Sequence, residues 1–255
     1  MKKGKLVKII VIVFIVFVLV NGLGTAGYLL NYRGYFSKFN GKVYAASEQE
    51  EIVESPLKGK HVLFLGSSVT KGERSKGVSF VEYLGARDGI TYVKEAVSGT
   101  TLVDNGENSY VQRLINNVNA NEAFDLVVVQ LSTNDASQNL ELGALSSSQN
   151  LEDFDTSTIT GAMEYIIAYC QNTWNCPVVF YTSPQYDSSA YSAMVSVMPQ
   201  LEDKWGIEVI DMWNELSTDI PEYSSYMADK IHPTQAGYLK WWTPFFEEKL
   251  YALCQ

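Results

Sequence analysis

From His61 to the end of the chain, short apolar runs alternate with longer stretches whose apolar residues recur every three or four positions. Residues 61–65, 91–96, 126–131, 177–182 and 207–210 read as strands, being too short for helices and followed by turn residues. Between them, Val111, Leu114, Ile115 and Val118 keep the helical period, as do Ile159, Met163, Ile166, Ile167 and Cys170. Met194, Val197, Met198, Leu201 and Trp205 form a third stripe, in which Pro199 predicts a kink or a late helix start. A last aromatic helix is predicted from about residue 235 to 253, with Pro244 as a similar interruption. Its Trp241-Trp242 pair is expected to pack the helix, cover over an acyl pocket being the other use. The alternation predicts an α/β fold, a three-layer α/β/α sandwich around a parallel sheet of five strands.

Ahead of this pattern, the chain from Ile9 to Leu30 is almost wholly apolar. Those 22 residues would cross a hydrocarbon core of about 30 Å. Lys2, Lys3, Lys5 and Lys8 precede them, which predicts a cytoplasmic amino terminus and export of the rest. The expected plan is a membrane anchor or signal segment in residues 1–30, an extracytoplasmic linker with little fixed structure in 31–59, and the folded domain in 60–255. The alternative is a cleaved signal peptide, with Val43-Tyr44-Ala45 as the small-residue site and a secreted product. A further long polar connection, residues 136–156, leaves the third strand and is expected to be a lid or binding loop.

Charge narrows the partners. The chain carries a formal charge of -10, but residues 1–46 hold seven bases and no acid. Residues 47–255 therefore hold 12 bases against 29 acids, a net of -17, and so acidic a body excludes nucleic acid as a partner. Cys170, Cys176 and Cys254 form no metal-ligand pattern. Cys170 and Cys176 would close a small loop in an oxidising compartment or stay as buried thiols.

Four segments carry candidate chemistry. The first strand ends in Gly66-Ser67-Ser68, at the edge where an open parallel sheet binds ligands. Ser68 is there either turn punctuation or a nucleophile. Of the two histidines, His61 opens the first strand and is expected to be structural, whereas His232 follows Asp229 by three residues. Asp229 can accept the Nδ1 proton and leave Nε2 as a base, although the pair can also simply cap the last helix. Asn134, in Leu131-Ser132-Thr133-Asn134-Asp135, can donate to a developing oxyanion. Gly99, in Ser98-Gly99-Thr100, offers a backbone N–H, and both positions are also ordinary turn residues. Each segment follows a strand or the strand-rich core, so all would meet on one sheet edge. Other motifs fail: Gly-Lys-Ser/Thr, His-Glu-x-x-His and Gly-x-Ser-x-Gly are all missing from the sequence.

In this order, Gly66-Ser67-Ser68, Gly99, Ser132-Thr133-Asn134-Asp135 and Asp229-Lys230-Ile231-His232-Pro233 resemble the blocks of the SGNH (GDSL) hydrolase family, over roughly residues 61–253. The resemblance implies a flavodoxin-like fold and metal-free, cofactor-free esterase, lipase, carbohydrate-deacylase or acyltransferase chemistry. It implies Ser68 as nucleophile, His232 as general base and Asp229 as the residue orienting it. The implied oxyanion hole is the N–H groups of Ser68 and Gly99 with the Asn134 side chain. Ser67 stands where the family has Asp, and Ser132 where it has Gly. The expected protein is a membrane-tethered, extracytoplasmic serine hydrolase cleaving or transferring small acyl groups on envelope or exported polysaccharide. A lipid or lysophospholipid esterase and a catalytically silent carbohydrate-binding domain are the alternatives.

Overall fold

The computed structural model describes residue 18 and residues 21–254. Val62, Leu63, Phe64 and Leu65 are each at most 2 % exposed. Successive strand side chains point to opposite faces, so a strand buried at every position must be covered on both sides. It is β1 (His61–Gly66) of a parallel sheet completed by β2 (Thr91–Ala96), β3 (Leu126–Gln130), β4 (Val178–Tyr181) and β5 (Glu208–Ile210). The strand order is β2-β1-β3-β4-β5, which reverses between β1 and β3. Gly66 pairs with Ala96, Leu65 with Val129, Gln130 with Tyr181 and Tyr181 with Ile210, so the strands end along one edge.

Around the sheet lie α1 (Phe80–Asp88), α2 (Tyr110–Asn117), α3 (Ile159–Trp174), α4 (Met198–Trp205) and α5 (Thr243–Ala252). Leu63, Leu65, Val127, Val129, Val178 and Phe180 pack on the apolar stripes of α2, α3 and α4. Val62, Phe64, Val128, Val179 and Tyr181 pack on α1 and α5. Each prolines' interruption has its own solution. Pro199 sits in the first turn of α4, where a missing N–H does no harm, and Ser189–Val195 forms a separate helix before it. Pro244 sits in the first turn of α5, directly after the π-helical turn Tyr238–Trp242, in which the Thr243 N–H bonds to the Tyr238 carbonyl. Trp241 and Trp242 are buried in this layer.

Two expectations about the connections change. Residues 31–59, expected to be a loose linker, lie against the body. The Ile52 N–H donates to the Arg87 carbonyl at 2.6 Å, the Gly59 N–H to the Gly89 carbonyl at 3.1 Å, and Leu57 is 2 % exposed. Their polar composition hides this, because backbone groups, the polar side chains of Asn40 and Ser55 and one buried leucine do the docking. Residues 136–156 are likewise fastened. Leu140, Leu142 and Leu145 pack on the core, and Lys204 Nζ donates to the carbonyls of Ser146 and Ser148 while pairing with the fully buried Glu164.

Most of the expected membrane segment, residues 1–17, 19 and 20, lies outside the described residues. Residues 21–32 form a helix whose Leu23, Tyr28, Leu29 and Leu30 are exposed. Among the described residues no helix is long and apolar enough to cross a membrane. Cys170 and Cys176 are buried free thiols.

Candidate functional site

At the sheet's carboxyl edge Ser68, His232 and Asp229 meet, and Gly99 and Asn134 lie on the turns that follow β2 and β3. At the end of β1 the chain turns at once into the helical turn Ser68–Lys71. A Cβ on Gly66 would lie 1.8 Å from Thr70 Oγ1 and 2.9 Å from Gln130 Oε1, so glycine is required by close approach. Gln130, at the end of β3, gathers this turn onto one oxygen. Its Oε1 accepts the Ser67 N–H at 2.9 Å and the Thr70 hydroxyl at 2.8 Å, with the Ser67 hydroxyl and the Thr70 N–H each at 3.3 Å.

Ser68 is thereby held 6 % exposed, with its Oγ 2.8 Å from His232 Nε2. On the other side of the ring, His232 Nδ1 lies 2.9 and 3.0 Å from the two oxygens of Asp229. A carboxylate only accepts, so Nδ1 carries the proton and Nε2 accepts from the Ser68 hydroxyl. Burial pushes the Asp229 carboxyl up, but hydrogen bonds from the His232 ring and from the N–H groups of Ile231 and His232 outweigh it and hold the group at about 2. Asp229 thus stays ionised beside the imidazole. A Ser–His–Asp chain of this geometry can move the hydroxyl proton onto the ring as the oxygen attacks a carbonyl.

The neighbouring turns come together beside Ser68. Asn134 Nδ2 donates to the Thr100 carbonyl at 2.9 Å. Ser98 is tied through its hydroxyl to Glu73, which lies 2.9 Å from Lys71 Nζ. Gly99, with φ +81°, therefore sits between one contact to the Ser68–Lys71 turn and one to Asn134. Ser132 Oγ accepts from the N–H groups of Asn134 and Asp135 and caps the helical turn Thr133–Ser137. That is a physical use for a side chain where the family has glycine.

Three buried residues that sequence reading missed hold these turns. Asp135 is fully buried, and its oxygens accept the N–H groups of Leu102 at 2.8 Å and Val103 at 3.0 Å, fixing the loop that carries Gly99. Burial raises its pKa against those hydrogen bonds. Arg113, 1 % exposed, donates to the carbonyls of Gly66 (2.8 Å), Glu95 (2.8 Å) and Asn108 (2.9 Å), and to Thr100 Oγ1 at 3.2 Å. One guanidinium thus joins the ends of β1 and β2. Gln130 is the third. Arg113 and Gln130 do carry a signal, a polar residue inside an otherwise apolar stripe or strand. His61, at the opposite end of β1, bonds Thr91 and Glu122 and stacks on Phe124. Among the described residues no group of His, Cys, Asp and Glu is arranged to hold a metal ion.

Two cavities bear on substrate shape. One of about 280 Å³ adjoins the site, lined by Gly99, Thr100, Asn105, Glu107, Asn108 and Gln138 among others. A second, of about 500 Å³ and lined by Leu57, Val62, Leu126 and Leu250 together with Lys60 and Asp125, lies at the opposite edge, where the strands begin.

Residues 64–240 match the model of the GDSL-like Lipase/Acylhydrolase family. A comparison with curated protein sequences finds no match. Solved structures similar to the chain include a protein from Lactobacillus plantarum, 20% identical, covering 77% of this chain and 96% of its own, with a TM-score of 0.60. A lipase/acylhydrolase from Enterococcus faecalis is 19% identical over 76% of this chain and 96% of its own, with a TM-score of 0.52. An acetyl xylan esterase is 17% identical over 76% of this chain and 98% of its own, with a TM-score of 0.53. At these identities the likeness is one of fold.

Proposed function

The chain belongs to the GDSL-like lipase/acylhydrolase family, and from that premise we propose that it cleaves or transfers carboxylic esters through Ser68, His232 and Asp229. The observation that carries this reading is the hydrogen-bonded chain from Ser68 Oγ through the His232 ring to Asp229. Ser68 Oγ attacks the ester carbonyl as His232 Nε2 takes its proton, and Asp229 stabilises the imidazolium. The N–H groups of Ser68 and Gly99 and the Asn134 amide hold the oxyanion. The imidazolium returns its proton to the leaving alcohol, giving an acyl-enzyme. Water, or a sugar hydroxyl in a transferase, then attacks with His232 again as base and frees Ser68.

The substrate we propose is a small acyl group on a carbohydrate outside the cytoplasmic membrane. The cavity beside Gly99 supports it, because a lining of amides, hydroxyls and one carboxylate suits sugar hydroxyls. The larger cavity, of mixed polar and apolar lining, stands at the far edge of the sheet, where the strands begin and away from Ser68. An acetyl xylan esterase among the similar folds agrees with this reading. The extracytoplasmic address rests on the lysines and the apolar run at the amino terminus. A series of p-nitrophenyl esters of rising chain length tests the proposal. Turnover should be greatest for acetate and fall with length. Rates that rise into the long chains would favour a lipid esterase, and no turnover of any ester would favour a binding domain.

A further inference from the structure

Residues 32–40 lie ahead of the region that matches the family, yet they bond the segments that follow Ser68 and His232. Asn40 is 1 % exposed and every polar atom of its side chain is used. Its Nδ2 donates to the carbonyls of Gly34 at 2.9 Å and Arg74 at 2.7 Å, and its Oδ1 accepts the Gln235 N–H at 2.7 Å. Arg74 follows Ser68 by six residues and Gln235 follows His232 by three. A single amide therefore joins the peptide leaving the nucleophile turn to the peptide leaving the histidine.

The surrounding backbone is built for that approach. The Ala236 N–H donates to the Phe39 carbonyl and the Lys76 N–H to the Arg33 carbonyl, each at 3.1 Å. Gly34 has φ +77°, and a Cβ there would lie 2.0 Å from the Arg74 carbonyl oxygen and 2.2 Å from Asn40 Nδ2. No other residue fits without moving Arg74 or Asn40. On the outer side, the Arg74 guanidinium lies 4.4 Å from the centre of the Tyr32 ring, and its buried Nε is 3.6 Å from Asp229 Oδ2. Tyr32 thus presses an arginine toward the carboxylate that orients His232.

We infer that this amino-terminal segment is part of the working site: Asn40 is a positioning residue that fixes the separation of Ser68 and His232, and Tyr32 acts through Arg74 on Asp229. The inference rests on the Ser68–His232 reading above. Neither residue touches the reacting atoms, so both should act on turnover and leave substrate binding alone. Removing the Asn40 amide leaves the Gln235 N–H and the Arg74 carbonyl without that partner, and the two loops can then drift apart. A misplacement of about 1 Å in such a pair lowers turnover by about 10²-fold. A chain cut after Ala45 would lose both residues, so the segment must stay attached in the active protein.

The test uses the full chain, short-chain ester turnover and thermal melting on the wild type, Asn40→Ala, Asn40→Asp, Tyr32→Ala, Tyr32→Phe, Leu57→Ala and Ser68→Ala. Asn40→Ala should lower kcat by about 10- to 100-fold with KM unchanged, measured where melting shows it folded. Asn40→Asp, which keeps the acceptor for Gln235 but turns a carboxylate oxygen toward the carbonyls of Gly34 and Arg74, should not recover that loss. Leu57→Ala removes a buried side chain at the far edge of the sheet and should lower Tm without lowering kcat. The partly exposed Tyr32 gives a readout that does not depend on folding of the Asn40 variants: Tyr32→Ala should lower kcat several-fold and Tyr32→Phe should not. Equal kcat losses in Asn40→Ala and Leu57→Ala at equal Tm loss, or full kcat in both Asn40→Ala and Tyr32→Ala, would overturn the inference. Turnover that survives Ser68→Ala would overturn the nucleophile assignment itself, whereas turnover lost in Ser68→Ala and kept in Asn40→Ala would overturn the role of Asn40 alone.

Discussion

One N–H of the Asn134 side-chain amide donates to the Thr100 carbonyl at 2.9 Å. That bond fixes the plane of the amide and leaves its second N–H to point at a ligand. It also couples Asn134 to the loop that carries Gly99, so two proposed oxyanion donors move as one unit. Asn134→Ala should therefore lower kcat by about 10²–10³-fold with little change in KM. Steady-state kinetics on a short-chain ester checks this. A loss confined to KM would mean that Asn134 binds the ground state and not the oxyanion.

Ser67 is fitted to its surroundings in a way that an acid would not be. It is fully buried, and its N–H and hydroxyl both point to Gln130 Oε1. A carboxylate there would face the oxygen that the Ser67 hydroxyl now donates to, in a site closed to water. Ser67→Asp, which restores the family's residue, should destabilise the chain by more than about 2 kcal/mol and raise no activity. Denaturant melts measure the first and ester turnover the second. A stable and faster variant would show that Ser67 is a defect in the site.

The state of Asp229 gives stability a pH signature. Its folded pKa of about 2 lies below the 3.8 of a free aspartate, so folding favours the ionised form. The contribution is fully present above about pH 4 and is lost as pH falls through 2. The side chain is 39% exposed, and solvent screening limits the effect to about 1 kcal/mol. The stability difference between wild type and Asp229→Asn should therefore shrink between pH 5 and pH 2.5. Melts that differ by the same amount at both would show that the carboxylate is not stabilised by the fold.

The Glu164–Lys204 pair sets what the long loop does. Lys204 binds the carbonyls of Ser146 and Ser148 while Glu164, fully buried, holds the ammonium and accepts the Ser146 N–H at 2.8 Å. Glu164→Ala leaves a charge and a loop without their partner and should destabilise by about 3 kcal/mol. Ester preference at temperatures below the transition should not change. A shift in preference with an unchanged Tm would return the loop to the role of a lid.

The centre of the sheet is legible because β1, β3 and β4 are buried on both faces and so form apolar runs, whereas the edge strands β2 and β5 are more exposed. Element ends are less legible. Hydrophobic period continues through Ser196 and Val197, where the backbone breaks between two helices, and through the π-helical turn before α5. Asp229 and His232 are legible as a pair from their three-residue spacing, and Ser68 joins them through the resemblance of its Gly66-Ser67-Ser68 block and the turn that ends β1. Asn40 is not legible. It acts through backbone carbonyls and an N–H group far away in sequence, and a side chain leaves no record of such partners. The docking of the polar segment 31–59 is hidden for the same reason: main-chain groups and the side chains of Asn40 and Ser55 bond partners far away in sequence.

The central claim is that Ser68 is a nucleophile activated by His232. The most direct measurement is covalent labelling by a fluorophosphonate, read by intact mass and by mapping of the modified residue. One label per chain on Ser68, abolished in Ser68→Ala and strongly slowed in His232→Ala, is the predicted result. Equal labelling of wild type and Ser68→Ala, or none of the wild type, would contradict it.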